Sequence, residues 1–237
     1  MNLGEVQRYW DRQAHADPMW AILTDPDKAG GRWDADEFFA TGVREVGAFM
    51  EQAAAWRKPV ARRSALDFGC GIGRLTQALA DHFDQVYGVD ISPKMIDLAG
   101  QHNRKGGRVE YLCNPAGDLS HFADGSIDMI YSWITLQHMR PDYARRYMQE
   151  FLRVLAPGGL LVFQYPSKPI GLGSRLARWN ALLSKLLYKP RPMYMNGMNR
   201  EDVVELLERG GGRVLNVQQD DNSIPGYHSF CYAVTRD

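Results

Sequence analysis

Two acids and three glycines stand at spacings suited to binding a nucleotide-like ligand. The run Ser64-Ala-Leu-Asp-Phe-Gly-Cys-Gly-Ile-Gly-Arg-Leu-Thr76 is apolar up to Gly69, Gly71 and Gly73, and Val86-Tyr-Gly-Val-Asp-Ile-Ser92 follows it. Leu75, Leu79 and Phe83 recur at helical spacing, so the glycines fall in a turn between strand and helix. Glycine has no side chain to block close approach and tolerates backbone angles that other residues avoid, so a ligand can lie directly against such a turn. Asp90 ends the second strand about twenty residues past the first glycine, where a carboxylate can accept hydrogen bonds from both ribose hydroxyls. The blander alternatives are a plain tight turn for the glycines and an ordinary helix-capping acid for Asp90.

The spacing is Gly-x-Gly-x-Gly rather than Gly-x-Gly-x-x-Gly, and Asp67 stands two residues before the first glycine. A pyrophosphate is repelled by that acid, whereas a ligand bearing an ammonium and a sulfonium is attracted to it. S-adenosylmethionine combines those groups with adenosine. Here the sequence resembles the class I S-adenosylmethionine-dependent methyltransferases, first through Leu66 to Gly73 and then through Asp90, Asp124-Gly-Ser-Ile-Asp128 and Arg153-Val-Leu-Ala-Pro-Gly-Gly159. The resemblance spans residues 60 to 165.

The resemblance implies roles for particular residues. Gly69, Cys70, Gly71 and Gly73 form the cofactor loop, with the backbone at Gly69 and Gly71 cradling the methionine part and Cys70 a small filler. Asp67 orients the amino group, Asp90 binds the ribose, and Ile91 lies on an adenine face. The adenine edge falls in Cys113-Asn-Pro-Ala-Gly-Asp118, where Pro115 occupies the place of the acid found in many relatives. Asn114 or Asp118 is then left to take the exocyclic amine and the Ala116 N–H to take a ring nitrogen, unless this is a simple loop. Ser132 is expected near the methionine part and Trp133 near the pocket. His138 is a candidate general base for a hydroxyl acceptor, since imidazole can hold a proton near neutral pH, with a structural role as the alternative. Gln137, Gln164 and Tyr165 are further candidates to orient a polar acceptor. Methyl transfer from an activated sulfonium needs alignment and exclusion of water rather than a metal, and no ligand-spaced cluster of histidines or carboxylates is seen.

The chain has 237 residues, 45% hydrophobic and 24% charged, with 28 basic residues balancing 28 acidic ones. That is ordinary globular composition without the basic excess that nucleic-acid binding usually needs, so nucleic acid is not an expected partner. The start lacks the apolar stretch of a secretion signal and no run is long enough to span a bilayer, so a cytoplasmic location is expected. Cys70, Cys113 and Cys231 are odd in number and widely spaced, which suggests neither a disulfide framework nor a zinc site.

Residues 1 to 60 read as an N-terminal helical cap with two helices joined by Thr24-Asp-Pro-Asp-Lys-Ala-Gly-Gly31. The second starts near Asp34, with Glu37 three residues later resembling a capping box and Phe39, Val43, Val46 and Met50 forming a stripe against the sheet. Tyr9, Trp10, Trp20 and Trp33 either fill the core of this cap or close over the cofactor. Residues 61 to 237 form the core, with strands near 64–68, 85–90, 108–113, 127–132, 159–165, 212–219 and 228–235. Helices begin at Ser92-Pro93 and Pro141 and span 200–209, and Pro157-Gly-Gly159 stops the helix before the fifth strand. The implied fold is α/β: a Rossmann-like, doubly wound, mostly parallel seven-stranded sheet with an antiparallel C-terminal strand. Residues 166–197 read as a basic amphipathic helical insertion before the last helix, acting as a lid, a dimer contact or a membrane-surface segment centred on 170–190.

The leading expectation is a methyltransferase for a small-molecule or biosynthetic-intermediate acceptor, monomeric or homodimeric. The alternatives are a nicotinamide-dependent oxidoreductase, and a non-catalytic S-adenosylmethionine-binding protein docking to a membrane or partner.

Overall fold

The computed structural model describes residues 2–56, 61–167, 195–220 and 227–237. Most of the proposed insertion at 166–197 lies outside them. Helices α1 (Leu3–Ala16), α2 (Pro18–Ile22) and α3 (Ala35–Ala55) precede β1 (Ser64–Phe68), α4 (Arg74–Leu79), β2 (Gln85–Asp90), α5 (Pro93–Gln101) and β3 (Val109–Cys113). Then come β4 (Ile127–Ser132), α6 (Pro141–Val154), β5 (Leu155–Pro166), α7 (Arg200–Arg209), β6 (Gly212–Asp220) and β7 (Ser229–Arg236).

The seven strands form one sheet in the order β3-β2-β1-β4-β5-β7-β6. β1 pairs in parallel with β2 and β4, β2 with β3, and β4 with β5, while β7 runs antiparallel to both β5 and β6. The expected sheet is thus the observed one. The chain reverses its direction of growth at β1, and the crevice beyond the carboxyl ends of β1 and β4 is where such sheets bind ligands. Val46, Phe49 and Ala53 of α3 and Leu75, Ala78 and Leu79 of α4 cover one face, and Tyr147, Met148 and Phe151 of α6 with Val203 and Leu207 of α7 cover the other.

Four local expectations are corrected. Among its described residues the cap holds three α-helices, because Asp17 accepts the Trp20 N–H at 3.3 Å and Pro18 restarts the chain as α2. The buried stripe of α3 is Phe38, Gly42, Val46, Phe49 and Ala53, whereas Val43 is 55% exposed. Gly42 sets that rotation, since a Cβ there would stand 2.4 Å from the Arg74 carbonyl oxygen and only glycine lets α3 approach α4 so closely. Asp34 does cap α3 by accepting the Glu37 N–H at 2.9 Å, but the Glu37 carboxylate pairs with Lys28. Finally, α6 ends at Val154 and β5 begins at Leu155, so Pro157-Gly-Gly159 lies within the strand. Leu155 pairs with Ile127 and Leu160 with Met129, which leaves the intervening segment out of register as a bulge.

Candidate functional site

A cavity of about 430 Å³ opens at the carboxyl ends of β1, β2 and β4, roofed by α1 and α2 through Leu3, Val6, Trp10 and Ile22. The turn after β1 is fixed from within. The Gly69 and Cys70 N–H groups donate to the Val89 carbonyl at 2.7 and 3.0 Å, Gly71 to Asp90 Oδ2 at 2.9 Å, and Gly73 to the Cys70 carbonyl at 2.9 Å. Gly69 and Gly71 hold φ of +83° and +54°, a region costly for other residues. A Cβ at Gly69 would fall 2.2 Å from Thr135 Oγ1, and one at Gly71 2.6 Å from Ile22 Cδ1. The four amides are therefore committed to the turn and unavailable to a phosphate, the use to which a glycine turn at a helix N-terminus is otherwise put.

Asp67 lies at the cavity wall, 2% exposed, accepting a hydrogen bond from Thr76 Oγ1 at 2.6 Å. Burial pushes its carboxyl up to about 7, against the pull of the Thr76 hydroxyl and the Arg74 guanidinium. Asp90 takes the Gly71 N–H on Oδ2 and the Ser92 N–H on Oδ1, each at 2.9 Å. Burial raises its carboxyl too, opposed by those two N–H groups. Each oxygen keeps a second acceptor direction, enough for a pair of vicinal hydroxyls.

Nine of the expected site residues line the cavity: Asp67, Gly69, Cys70, Gly71, Asp90, Ile91, Asn114, Trp133 and His138. Burial holds the Cys70 thiol well above its ordinary range, in keeping with a filler. Gly73, Ala116 and Ser132 do not line it. Gly73 turns toward Tyr111, whose hydroxyl would sit 2.1 Å from an added Cβ, and it serves the start of α4 with φ of +85°. The Ser132 hydroxyl donates to the Phe68 carbonyl at 3.0 Å and so ties β4 to β1. The Ala116 N–H is given to Asn114 Oδ1 at 3.2 Å, and Asn114 Nδ2 to the Asp118 carbonyl at 2.8 Å, so this segment organises itself around Asn114.

His138 sits in the 3₁₀ turn Leu136–His138 after β4, 6% exposed, with its ring edge-on to Trp10 at 5.1 Å. Of the cap aromatics Trp10 lines the cavity and Trp33 packs on Phe38, and Trp133, after β4, lines the cavity as well. Gln137 also reaches the cavity; Gln164 and Tyr165 are fully buried in β5 and do not.

Four contributors escaped the sequence reading. Asp11 of α1 accepts hydrogen bonds from the Ser92 hydroxyl and, at 3.2 Å, from the Lys94 N–H, fastening the cap to the start of α5. Glu45 of α3 pairs with Arg74 at 2.8 Å, and both line the cavity. Ile134 is, among the described residues, the one non-glycine with positive φ, at +54°, and it too lines the cavity. A left-handed β-branched residue costs on the order of 1–3 kcal/mol, and such strain gathers at functional sites. Asp11 and Glu45 carry no local motif, since each acts through a contact with a distant segment.

Comparison with known proteins agrees with this geometry. A methyltransferase-domain model matches residues 66–163. The O-methyltransferase cnsE of Penicillium expansum is 30% identical over 186 residues, covering 74% of this chain and 58% of that protein. The 2-methyl-6-phytyl-1,4-hydroquinone methyltransferase of Synechocystis is 39% identical over 100 residues, covering 42% and 30%. The chain thus spans less than two thirds of the length of these curated relatives. The crystal structure of magnesium protoporphyrin IX methyltransferase from Synechocystis, with SAH bound, superposes with a TM-score of 0.66 at 19% identity and covers 99% of both chains. With its β1 glycine turn, the acid ending β2 and the strand order, the chain is similar, over the matched methyltransferase domain at residues 66–163, to the class I S-adenosylmethionine-dependent methyltransferases.

Proposed function

We propose that this protein binds S-adenosylmethionine in the cavity beyond β1 and β2 and transfers its methyl group to a small-molecule acceptor. The observation that carries the proposal is the pairing of two cavity-facing carboxylates with a glycine turn whose amides are already used. Such a wall offers negative potential and bare backbone, which suit an ammonium, a sulfonium and a ribose and oppose a pyrophosphate. The nicotinamide-dependent alternative is opposed by the same two carboxylates, which repel a pyrophosphate.

The bound donor supplies an already activated methyl group, so the protein's own task is placement. Asp90 holds the sugar hydroxyls, Asp67 the ammonium, and Ile91 and Met95 flank the base. Trp10 and the α2 residues close the roof and keep water from the reacting atoms. His138, on the same cavity, receives the proton that a hydroxyl acceptor sheds as the new O–C bond forms. The names of the relatives, an O-methyltransferase and a hydroquinone methyltransferase, and the apolar roof support a hydroxyl-bearing, partly apolar acceptor.

We also propose a single working unit of cap (1–60) and core (61–237), as monomer or homodimer, in the cytoplasm. Among the described residues no helix is long and apolar enough to cross a membrane. Membrane contact through 170–190, and with it the non-catalytic docking alternative, concerns residues outside those described. The test is transfer of labelled methyl from S-adenosylmethionine to a panel of phenols, hydroxy acids and amines. Label in a phenol or hydroxy acid supports the proposal; donor binding without transfer to any of the panel counts against the catalytic part of it.

A further inference from the structure

A column of aromatic rings behind β4 ends at the cavity wall. Tyr131 lies in β4 and Trp133 directly follows its end, two residues on, so both side chains join the apolar cluster beneath α3. Their rings stack with 5.8 Å between centroids and 12° between planes, and Phe49 of α3 packs on the Tyr131 ring at 5.0 Å. Phe49 and Tyr131 are buried, with the Tyr131 hydroxyl 3.4 Å from Glu45 Oε1. Of the three rings only Trp133 lines the cavity. Tyr131 backs its indole and fixes its plane, which leaves a flat apolar surface ready for a ligand ring. The other tryptophan of the wall, Trp10, is already edge-on to His138.

The charges of the wall narrow the ligand further. Glu45, Asp67 and Asp90 all line the cavity, and among the described residues Arg74 is the one lysine or arginine that does, already paired with Glu45 at 2.8 Å. An acceptor bearing a carboxylate would meet three acids and no unpaired guanidinium or ammonium, and burying such a charge unpaired is costly.

We infer that Trp133 is the stacking platform for the acceptor, and that the acceptor is a neutral, planar aromatic hydroxyl compound whose ring lies on the indole. The inference rests on the donor reading above and narrows its acceptor from hydroxyl compounds in general to this class. A flat ring gains dispersion and quadrupole contact across the whole indole, which a puckered ring of the same size cannot. A Trp133 that merely fills space treats the two alike.

The full chain is saturated with S-adenosylhomocysteine, which has no methyl to give, so differences in hydroxyl reactivity do not enter. It is then titrated calorimetrically with 2-naphthol, with the saturated decahydro-2-naphthol and with the anionic 6-hydroxy-2-naphthoate, for the wild type and for Trp133→Leu. The wild type is expected to hold 2-naphthol about tenfold more tightly than either of the others, the range of one aromatic stack and of one unpaired charge. Trp133→Leu is expected to bring the ratio of flat to saturated ring down to about two or less. Equal wild-type affinity for the two rings, a ratio unchanged by the substitution, tighter binding of the naphthoate, or no binding of 2-naphthol at about 1 mM overturns the inference while the donor reading stands. Failure of the wild type to bind S-adenosylhomocysteine overturns both. Should Trp133→Leu not fold, Trp133→Met fills the space without a ring, and a ratio undiminished there is equally contrary.

Discussion

The Gly71 N–H donates to Asp90 Oδ2 at 2.9 Å, so the tip of the glycine turn hangs from the last residue of β2. The carboxylate that is to hold a sugar also sets the shape of the loop beside it. Asp90→Ala is therefore expected to weaken S-adenosylhomocysteine binding by about tenfold to a hundredfold, since hydrogen bonds to a charged group are worth about 1.5–3 kcal/mol each. Asp90→Asn keeps the size but loses acceptor capacity, and is expected to fall between the two. Calorimetry measures both, and an unchanged Kd for Asp90→Ala contradicts the ribose role.

Asp67 makes binding depend on pH. Its carboxyl titrates near 7 in the fold and lower in the unfolded chain, so burial of the charged form is unfavourable. This contribution to stability is fully present below the unfolded value and is lost as pH rises through about 7. A bound ammonium favours the ionised carboxyl, which reverses the preference: affinity is expected to rise as pH climbs to about 7 and then level off, with proton release on binding below that point. Titrations at pH 6 in buffers of different ionisation enthalpy count the proton. Asp67→Asn should release none, and a wild type that releases none contradicts the assignment.

Two glycines with opposite surroundings separate turn geometry from general tolerance. Gly69, at φ +83° with Thr135 where a Cβ would go, has no room for alanine, so Gly69→Ala is expected to lower Tm and abolish donor binding together. Gly47, inside α3 with nothing within 4 Å of the added atom, is expected to gain about 0.5–1 kcal/mol as alanine. Thermal melts with and without S-adenosylhomocysteine check both, and a Gly69→Ala protein with wild-type ligand-induced stabilisation contradicts the close-approach argument.

The role of His138 is separable from binding. His138→Ala is expected to cut kcat for a hydroxyl acceptor by about 10²–10⁴, the range for a positioned base, with donor Kd within about threefold. A kcat that falls less than about threefold contradicts a base role and leaves His138 as the partner of Trp10 in the roof.

Much of this was legible in the residues because strand, glycine turn, helix and terminal acid are local: Asp67, the turn and Asp90 lie within one βαβ unit, and short-range pattern determines them. What failed was set at a distance. The rotation of α3 was misjudged by one position because Phe39 and Val43 suit the periodicity as well as Phe38 and Gly42 do, and the choice is made by Arg74 of another helix. Gly73 and Ser132, expected at the ligand from the resemblance, do not line the cavity, because their packing against Tyr111 and Phe68 is set by tertiary contacts that spacing does not encode. Asp11 and Glu45 meet the site from segments with no motif of their own.

Everything turns on whether the cavity between Asp67 and Asp90 takes the sulfonium donor or its thioether product. Calorimetric titration of the full chain with S-adenosylhomocysteine is the most direct measurement. One-to-one binding with a Kd of about 1–100 μM is the expected result, and a flat titration at about 1 mM ligand would contradict it.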